Sequence, residues 1–231
     1  MKKDMLPTKR NSEKTSAERI AIIKSEFEAG FKFLEDHPRS VTIFGSSRFK
    51  EDSKYYQHAR VLGQKIAKDL GYAVLTGGGP GIMEAANRGA YEVGGSSLGL
   101  TINLPEGQPV NRYLTEHIHF YYFFSRKVCL SFSAQAFVFY PGGFGTLDEC
   151  LEILTLVQTK KINKVPVILS GKDYWQDFDS LFEDLLVKRF KTIDEKDRDL
   201  YAITDNHDEI IDIIKGTSPR EGIKYCGEDL I

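Results

Sequence analysis

The chain predicts an α/β fold: a Rossmann-like, doubly wound parallel sheet flanked by helices, with an extra N-terminal helix. Three observations carry this expectation. From Val41 onward, short apolar runs alternate with segments of helical period, the pattern of repeated strand–helix–strand units. The apolar runs Val41–Phe44, Ala73–Thr76 and Ala136–Tyr140 are continuous rather than alternating, as expected of strands covered on both faces. Three loops rich in small residues follow strands, namely Gly45-Ser46-Ser47-Arg48, Gly77 to Gly81, and Pro141 to Thr146. In a parallel sheet all three lie at the carboxyl edge, where ligands bind.

Taken in order, residues 1–14 read as a flexible polar tail, and 15–231 as one Rossmann-like domain without linker or repeat. A capping-box pattern, Thr15-x-x-Glu18, opens a helix with Ile20, Ile23, Phe27, Phe31 and Leu34 on one stripe, ending near His37-Pro38. Val41–Phe44 is a strand, Tyr55–Leu70 a helix closed by Gly71, and Ala73–Thr76 a strand. The run Gly77-Gly78-Gly79-Pro80-Gly81 leads into a helix through Ala90, and Ser97–Ile102 is the next strand. A loop from Leu104 to Arg112 carries Pro105 and Pro109. His117–Phe123 is then extended and Ser125–Phe132 helical. The strand Ala136–Tyr140, a helix Thr146–Thr159 and the strand Val165–Leu169 follow, with helices near Phe178–Phe190 and Asp208–Lys215.

Composition narrows the function. The 231 residues are 41% hydrophobic and 28% charged, enough for one sizeable core. A net charge of −2 supplies no global field toward nucleic acid or anionic membrane, so an anionic ligand must be held locally. Cys129, Cys150 and Cys226 are widely spaced, with no CxxC pair, which points to a reducing cytoplasm rather than a disulfide frame or zinc site. No apolar run reaches membrane-spanning length, and Met1 to Glu13 is too polar for a signal peptide.

The most informative string is Pro141-Gly142-Gly143-Phe144-Gly145-Thr146-Leu147-Asp148-Glu149. A strand turning through glycines into a helix start is a phosphate cradle, because bare backbone N–H groups and the positive helix end face the anion. Glu149 then stands in the first helical turn, where an acid beside an anion site needs chemistry to justify it. The same Thr146-x-x-Glu149 also fits a capping box, and both readings stand at this point. Neither glycine run matches GxGxxG or GxxxxGK[ST], which leaves a mononucleotide rather than a dinucleotide or a P-loop triphosphate.

Arg126 and Lys127 fall in the first turn of a helix that Ser125 caps. Two cations there oppose the macrodipole. A bound anion or a partnership with Glu149 accounts for them, a surface ion pair being the alternative. His117 and His119 share one strand face, but the sequence offers no third metal ligand. Phe120 to Phe124 read as core and interface, and the acids of Asp194–Asp199 as a solvated face.

The strings Gly78-Gly79-Pro80-Gly81-Ile82-Met83-Glu84-Ala85-Ala86, Phe124-Ser125-Arg126-Lys127 and Pro141 to Glu149 resemble the LONELY GUY family. Those are cytokinin riboside 5′-monophosphate phosphoribohydrolases, many of them mislabelled lysine decarboxylases. The resemblance spans roughly Val41 to Leu185; the long proline loop and aromatic run are similar to the bacterial branch with a longer N-terminal helix. One departure is that Glu106 precedes Gly107-Gln108, where relatives carry an acid followed directly by glutamine.

The resemblance implies hydrolysis of the N-glycosidic bond of an AMP-like or cytokinin nucleotide, giving free base and ribose 5-phosphate. It implies Arg126 and Glu149 as the catalytic pair. With the loop readings, the expected substrate-binding set is Gly45, Ser46, Gly78, Gly79, Met83, Lys127, Gly142, Gly143, Phe144, Gly145, Thr146, Asp148 and Thr155. No metal and no cofactor are required, and the expected partners are a nucleoside 5′-monophosphate and a second copy of the chain in a homodimer or larger homo-oligomer. The competing expectation is a non-catalytic nucleotide or molybdenum-cofactor carrier on the same fold. A lysine decarboxylase is disfavoured, since no lysine stands in an evident pyridoxal-phosphate setting.

Overall fold

The structure, a computed structural model, describes residues 14–102, 109–132 and 134–217. The tail before Lys14, residues 103–108 of the proline loop with Glu106, and Cys226 lie outside the described residues.

Helix α1 (Ser16–Asp36) starts as its capping box dictates: Glu18 N–H donates to Thr15 Oγ1 (3.3 Å), and Thr15 N–H donates to Glu18 Oε2 (2.7 Å). Its buried line differs from the apolar stripe. Glu26, Gly30 and Leu34 face inward, flanked by half-buried Phe27 and Phe31, while Ile20 is exposed. Strand β1 (Ser40–Phe44) follows, then α2 (Lys54–Lys65), capped by Ser53 Oγ. A wider turn, Ile66–Leu70, extends α2 to Gly71, whose φ of +67° ends it.

Next come β2 (Ala73–Thr76), α3 (Ile82–Glu92), β3 (Ser97–Ile102) and β4 (Glu116–Phe120). After them run α4 (Phe123–Phe132), β5 (Ala136–Phe139), α5 (Phe144–Gln158) and β6 (Val167–Leu169). The chain continues with α6 (Lys172–Leu181), a π-type extension to Arg189, a 3-10 turn Glu195–Leu200, β7 (Ala202–Ile203) and α7 (His207–Lys215). Strand β7 and the 3-10 turn escape the sequence reading. The acids Asp194, Glu195 and Asp199 are exposed, as a solvated face requires, and Asp194 with Asp197 also forms that turn's capping box.

All strand pairs are parallel, in the order β4-β3-β2-β1-β5-β6-β7. The chain winds outward from β1 to β4, then returns to the other side of β1 with β5. The sheet therefore switches direction between β1 and β5, and a crevice opens over their carboxyl ends. Successive side chains of one strand feed opposite cores. Phe137 and Phe139 pack with Leu34, Leu130, Ile153 and Trp175, whereas Val41, Ile43 and Val138 pack with Leu62, Ile82 and Ile211. Thus α1, α4, α5 and α6 cover one face, and α2, α3 and α7 the other. The doubly wound expectation holds, and the N-terminal helix is present.

Cys129 and Cys150 are buried free thiols. Among the described residues no helix is long and apolar enough to cross a membrane. Among the same residues no three His, Cys, Asp or Glu side chains gather around a metal-sized site, although the His117 and His119 rings lie 5.9 Å apart.

Candidate active site

The crevice over β1 and β5 is a cleft of about 640 Å³, within the range of small-ligand sites. Its floor is the β1 loop and the start of α5, and its far wall comes from α4. Backbone bonds tie the loops together. Ser46 N–H donates to Pro141 C=O (3.0 Å), and Ser46 C=O accepts from Ile82 N–H at the head of α3 (3.1 Å). Ser46 therefore spends its backbone groups on bracing the cleft.

Helix α5 opens on Phe144, with Gly143 as N-cap and no side chain capping it. Its first intrahelical-type bond is Leu147 N–H to Gly143 C=O (3.0 Å). The N–H groups of Phe144, Gly145 and Thr146 precede any intrahelical acceptor and point from a positive helix end. Gly142 is required there, because any Cβ on it would collide with the Thr146 side chain. Tyr174 from α6 donates to Gly142 C=O (2.7 Å), and Trp175 Nε1 donates to Phe139 C=O (2.9 Å), so α6 anchors the strand and its turn.

These boundaries exclude the capping-box reading of Thr146 and Glu149. The helix starts two residues before Thr146, its first turn holds no acid, and Glu149 sits in the second turn. Glu149 is 4% exposed, lines the cleft, and its Oε2 is buried without a hydrogen-bond partner. Burial pushes its carboxyl up to about 7, outweighing the pull of Lys127 and Arg126. Arg126 faces the same cleft with its Nε likewise buried and unpartnered, and its guanidinium lies 4.8 Å over the Phe123 ring. Burial lowers its pKa against the opposing field of Glu149. Two such groups left short of partners are costly in a folded chain, and a polar ligand or water between them would satisfy both.

The start of α4 also differs from the sequence expectation. The helix begins at Phe123, so Ser125 lies inside it, buried, and is not its cap. The acceptor at that helix head is instead Glu26 of α1, which takes the N–H groups of Tyr121 and Tyr122. This acid resolves the oddity of two cations near a positive helix end. Lys127 has turned away from the cleft to pair with Asp148 (2.7 Å) and Glu152 (3.5 Å) on α5.

Of the expected residues, the structure gathers Arg126 and Glu149 with Gly45, Ser46, Met83, Gly143, Phe144, Gly145 and Thr146 around one cleft. Lys127 and Asp148 form an ion pair with each other beside it. Gly142 lies under the cradle. Thr155 is two turns further along α5, its hydroxyl donating to Leu151 C=O (2.7 Å) and its neighbours belonging to a separate groove with Gln158 and Tyr201. Gly78 and Gly79 also stand back from the cleft. Gly78, at φ +71°, packs on Thr101 and Leu114, and Asn111 takes up both: its N–H bonds Gly78 C=O (2.9 Å) and its amide bonds Gly79 C=O (3.1 Å).

Ser47, Arg48 and Gly77 also line the cleft, from two of the three loops expected at the ligand edge, whereas Phe44, Phe123 and Leu130 carried no site signal in the sequence. Phe123 precedes Arg126 by one helical turn, so adjacency alone could have found it. Glu26, Asn87 and Asn111 act across the fold, and no local pattern marks them.

A parallel sheet with an open helix start, a half-buried arginine and an acid with an unpartnered oxygen over its switch point defines a Rossmann-like protein with a polar cleft at its carboxyl edge. A family model described as "Possible lysine decarboxylase" matches residues 83–214. The chain is 30% identical over 160 residues to the cytokinin riboside 5′-monophosphate phosphoribohydrolase of Rhodococcoides fascians, covering 67% of this chain and 79% of that protein. It is 28% identical over 190 residues to a probable enzyme of the same name from Oryza sativa subsp. japonica, covering 80% of each. Among solved structures, the molybdenum cofactor binding protein of Rippkaea orientalis is similar at 25% identity and a TM-score of 0.57, over 77% of this chain and 94% of that one. The chain belongs to the LONELY GUY family.

Proposed function

We propose that this protein hydrolyses the N-glycosidic bond of an AMP-like or cytokinin nucleoside 5′-monophosphate to free base and ribose 5-phosphate. The observation that carries the reading is the Glu149 carboxyl, buried, unpartnered at Oε2 and raised to about 7 beside Arg126, one turn behind the open start of α5. The names of the family relatives support the same chemistry.

In this mechanism the N–H groups of Phe144, Gly145 and Thr146 hold the 5′-phosphate, with the helix dipole adding to the attraction. Anchoring the phosphate sets C1′ of the ribose before Glu149, so remote binding energy lowers the barrier. As the C1′–N bond breaks, its electron pair leaves with the base, which takes up a proton from solvent, a proton that Glu149 later returns when it ionises again. Positive charge builds on the ribose, and the ionised Glu149 stabilises it. A water oxygen then bonds to C1′ while Glu149 accepts the water's proton. Arg126 orients Glu149 and engages the ribose or phosphate through its planar fork. Met83, Phe44 and Leu130 supply apolar wall for the base. A second copy packs on the exposed aromatics Phe123, Phe124 and Phe144, a contact that light scattering would reveal as a dimer or larger species.

The test is Glu149→Ala. AMP binding is expected to persist by calorimetry, while chromatography detects no free adenine; base release at the wild-type rate would sink the assignment. A carrier of a molybdenum cofactor is the second reading, favoured by the similarity to the Rippkaea orientalis protein. It predicts no base release from AMP, CMP, GMP or isopentenyl-AMP by the wild-type chain.

A further inference from the structure

We propose that Glu26 is a positioning residue: reaching from α1, it fixes the start of α4 and so sets where Arg126 stands against Glu149. This rests on the reading of Arg126 and Glu149 as the reacting-site pair. Helix α1 lies outside the residues matched by the family model, yet this acid reaches from it to the head of the helix that forms the site wall.

Glu26 is 9% exposed, on the inward line of α1. Its Oε1 accepts from the N–H of Tyr121 and from that of Tyr122 (3.2 Å), and its Oε2 lies 3.4 Å from the latter. Tyr122 C=O in turn accepts from Arg126 N–H (3.4 Å). Two consecutive hydrogen bonds thus run from the α1 carboxyl to the backbone of the arginine. The helices also meet closely: a Cβ on Gly30, one turn after Glu26, would lie 2.5 Å from Cys129 Sγ on α4. That contact permits no sliding between them, so Glu26 holds a fixed distance.

Without this acceptor, two N–H groups at a part-buried helix head have no partner within α4, since first-turn donors precede any intrahelical acceptor. The chain before Phe123 must then move to find water, carrying the first turn of α4 with it. Arg126 lies in that turn's wake, and Phe123, whose ring the guanidinium covers, lies within it. The charges facing Glu149 are Arg126, Lys127, Asp148 and Glu152. Lys127 is tied to α5, so displacement of the α4 start removes chiefly the Arg126 contribution.

The experiment compares Glu26→Ala, Glu26→Gln and Glu26→Asp in the full chain. Gln keeps an oxygen at the Oε1 position; Asp withdraws it by one carbon; Ala abolishes it. Turnover of AMP is measured for kcat and KM, and the Glu149 carboxyl is titrated by carbon NMR without substrate. Glu26→Ala is expected to lose on the order of tenfold to a hundredfold in kcat with KM little changed, and its Glu149 midpoint to rise by about half a pH unit as the arginine recedes. Glu26→Gln should restore both, with Asp between.

A purely structural role predicts a lower melting temperature with wild-type kcat and wild-type Glu149 titration at assay temperature, and that result overturns the proposal. If the Ala variant does not fold, a higher kcat and a lower Glu149 midpoint for Gln than for Asp support it, and equal values refute it. If the wild-type chain releases no base, the hydrolase reading fails, while the titration still decides whether Glu26 sets the Arg126–Glu149 pair.

Discussion

The two glycine runs of this chain, Gly77 to Gly81 and Pro141 to Gly145, look alike in sequence, and the fold uses them oppositely. Each follows a buried strand and leads into a helix at the same sheet edge. In the first, polar side chains fill the turn. Asn87, fully buried on α3, accepts from Thr76 Oγ1 (2.6 Å) and Asn111 Nδ2 (3.0 Å), and donates to Ser97 Oγ (2.9 Å). Thr76 Oγ1 also takes Gly78 N–H (2.9 Å), and Asn111 takes the carbonyls of Gly78 and Gly79 through its own donors. Those bonds satisfy much of the loop internally, and only Gly77 of the run lines the cleft. Neither helix has a side-chain cap. Ile82 N–H at the head of α3 is taken by Ser46 C=O, whereas beside the second run the nearest acid and arginine are each left with an unpartnered atom. A glycine run marks a place where backbone comes close to something; whether that something is the protein or a ligand depends on which polar groups remain unpaired.

The largest effect expected from this contrast is on the open side. Arg126→Lys keeps the charge but loses the planar fork and the stacking over Phe123. With AMP as substrate, kcat/KM is expected to fall by about 10²–10³-fold, with an unchanged melting temperature. Wild-type turnover by this variant would mean that the two unpartnered groups at the cleft are not its chemistry, and the comparison would lose its functional half.

On the filled side the expected loss is of stability. Asn87→Ala removes the acceptor of the Thr76 hydroxyl and one partner each from the Asn111 amide and the Ser97 hydroxyl in a buried site. A loss of about 2–4 kcal/mol in denaturant unfolding is expected. Turnover well below the new melting temperature should stay within a few-fold of wild type, as the network faces away from the cleft. A severe kcat defect with unchanged stability would show that the first loop also serves the substrate.

How much of this was legible follows from the range of each signal. The strands were readable because Val41–Phe44 and Ala136–Phe139 are buried on both faces, and continuous apolar runs survive any local ambiguity. The glycine turn before α5 and the acid beside it were readable because all their residues are neighbours. Helix starts were misplaced where tertiary groups act as caps: α4 takes its acceptor from Glu26, 97 residues before Phe123. Helical phase defeated two site expectations. Asp148 points about 100° from Glu149, toward α4, and Thr155, six residues on, lies roughly two-thirds of a turn away. Asn111 meets Asn87 across 24 positions, which no periodicity encodes.

The smallest effect is the one that most directly weighs the unpaired acid. Burial is the main reason that the Glu149 carboxyl is raised from 4.5 to about 7, so the folded state holds this proton more tightly than the unfolded chain does. Between those two values the native protein binds more protons, and stability falls as pH rises. The favourable contribution is full below about pH 4.5 and is gone above pH 7, where an ionised carboxylate stays buried without a partner for one oxygen. Glu149→Gln removes that dependence while keeping the shape. The variant should therefore match wild type near pH 4 and exceed it increasingly toward pH 8, by up to about 3 kcal/mol. Unfolding curves at several pH values measure this difference directly. If the proposed hydrolysis holds, the same titration in the wild-type protein should appear as an acid limb, with kcat/KM rising through about pH 7 as the base ionises. A stability difference flat in pH would mean that the acid is already solvated or paired at the cleft, and the contrast between the open and filled loops would then vanish at its centre.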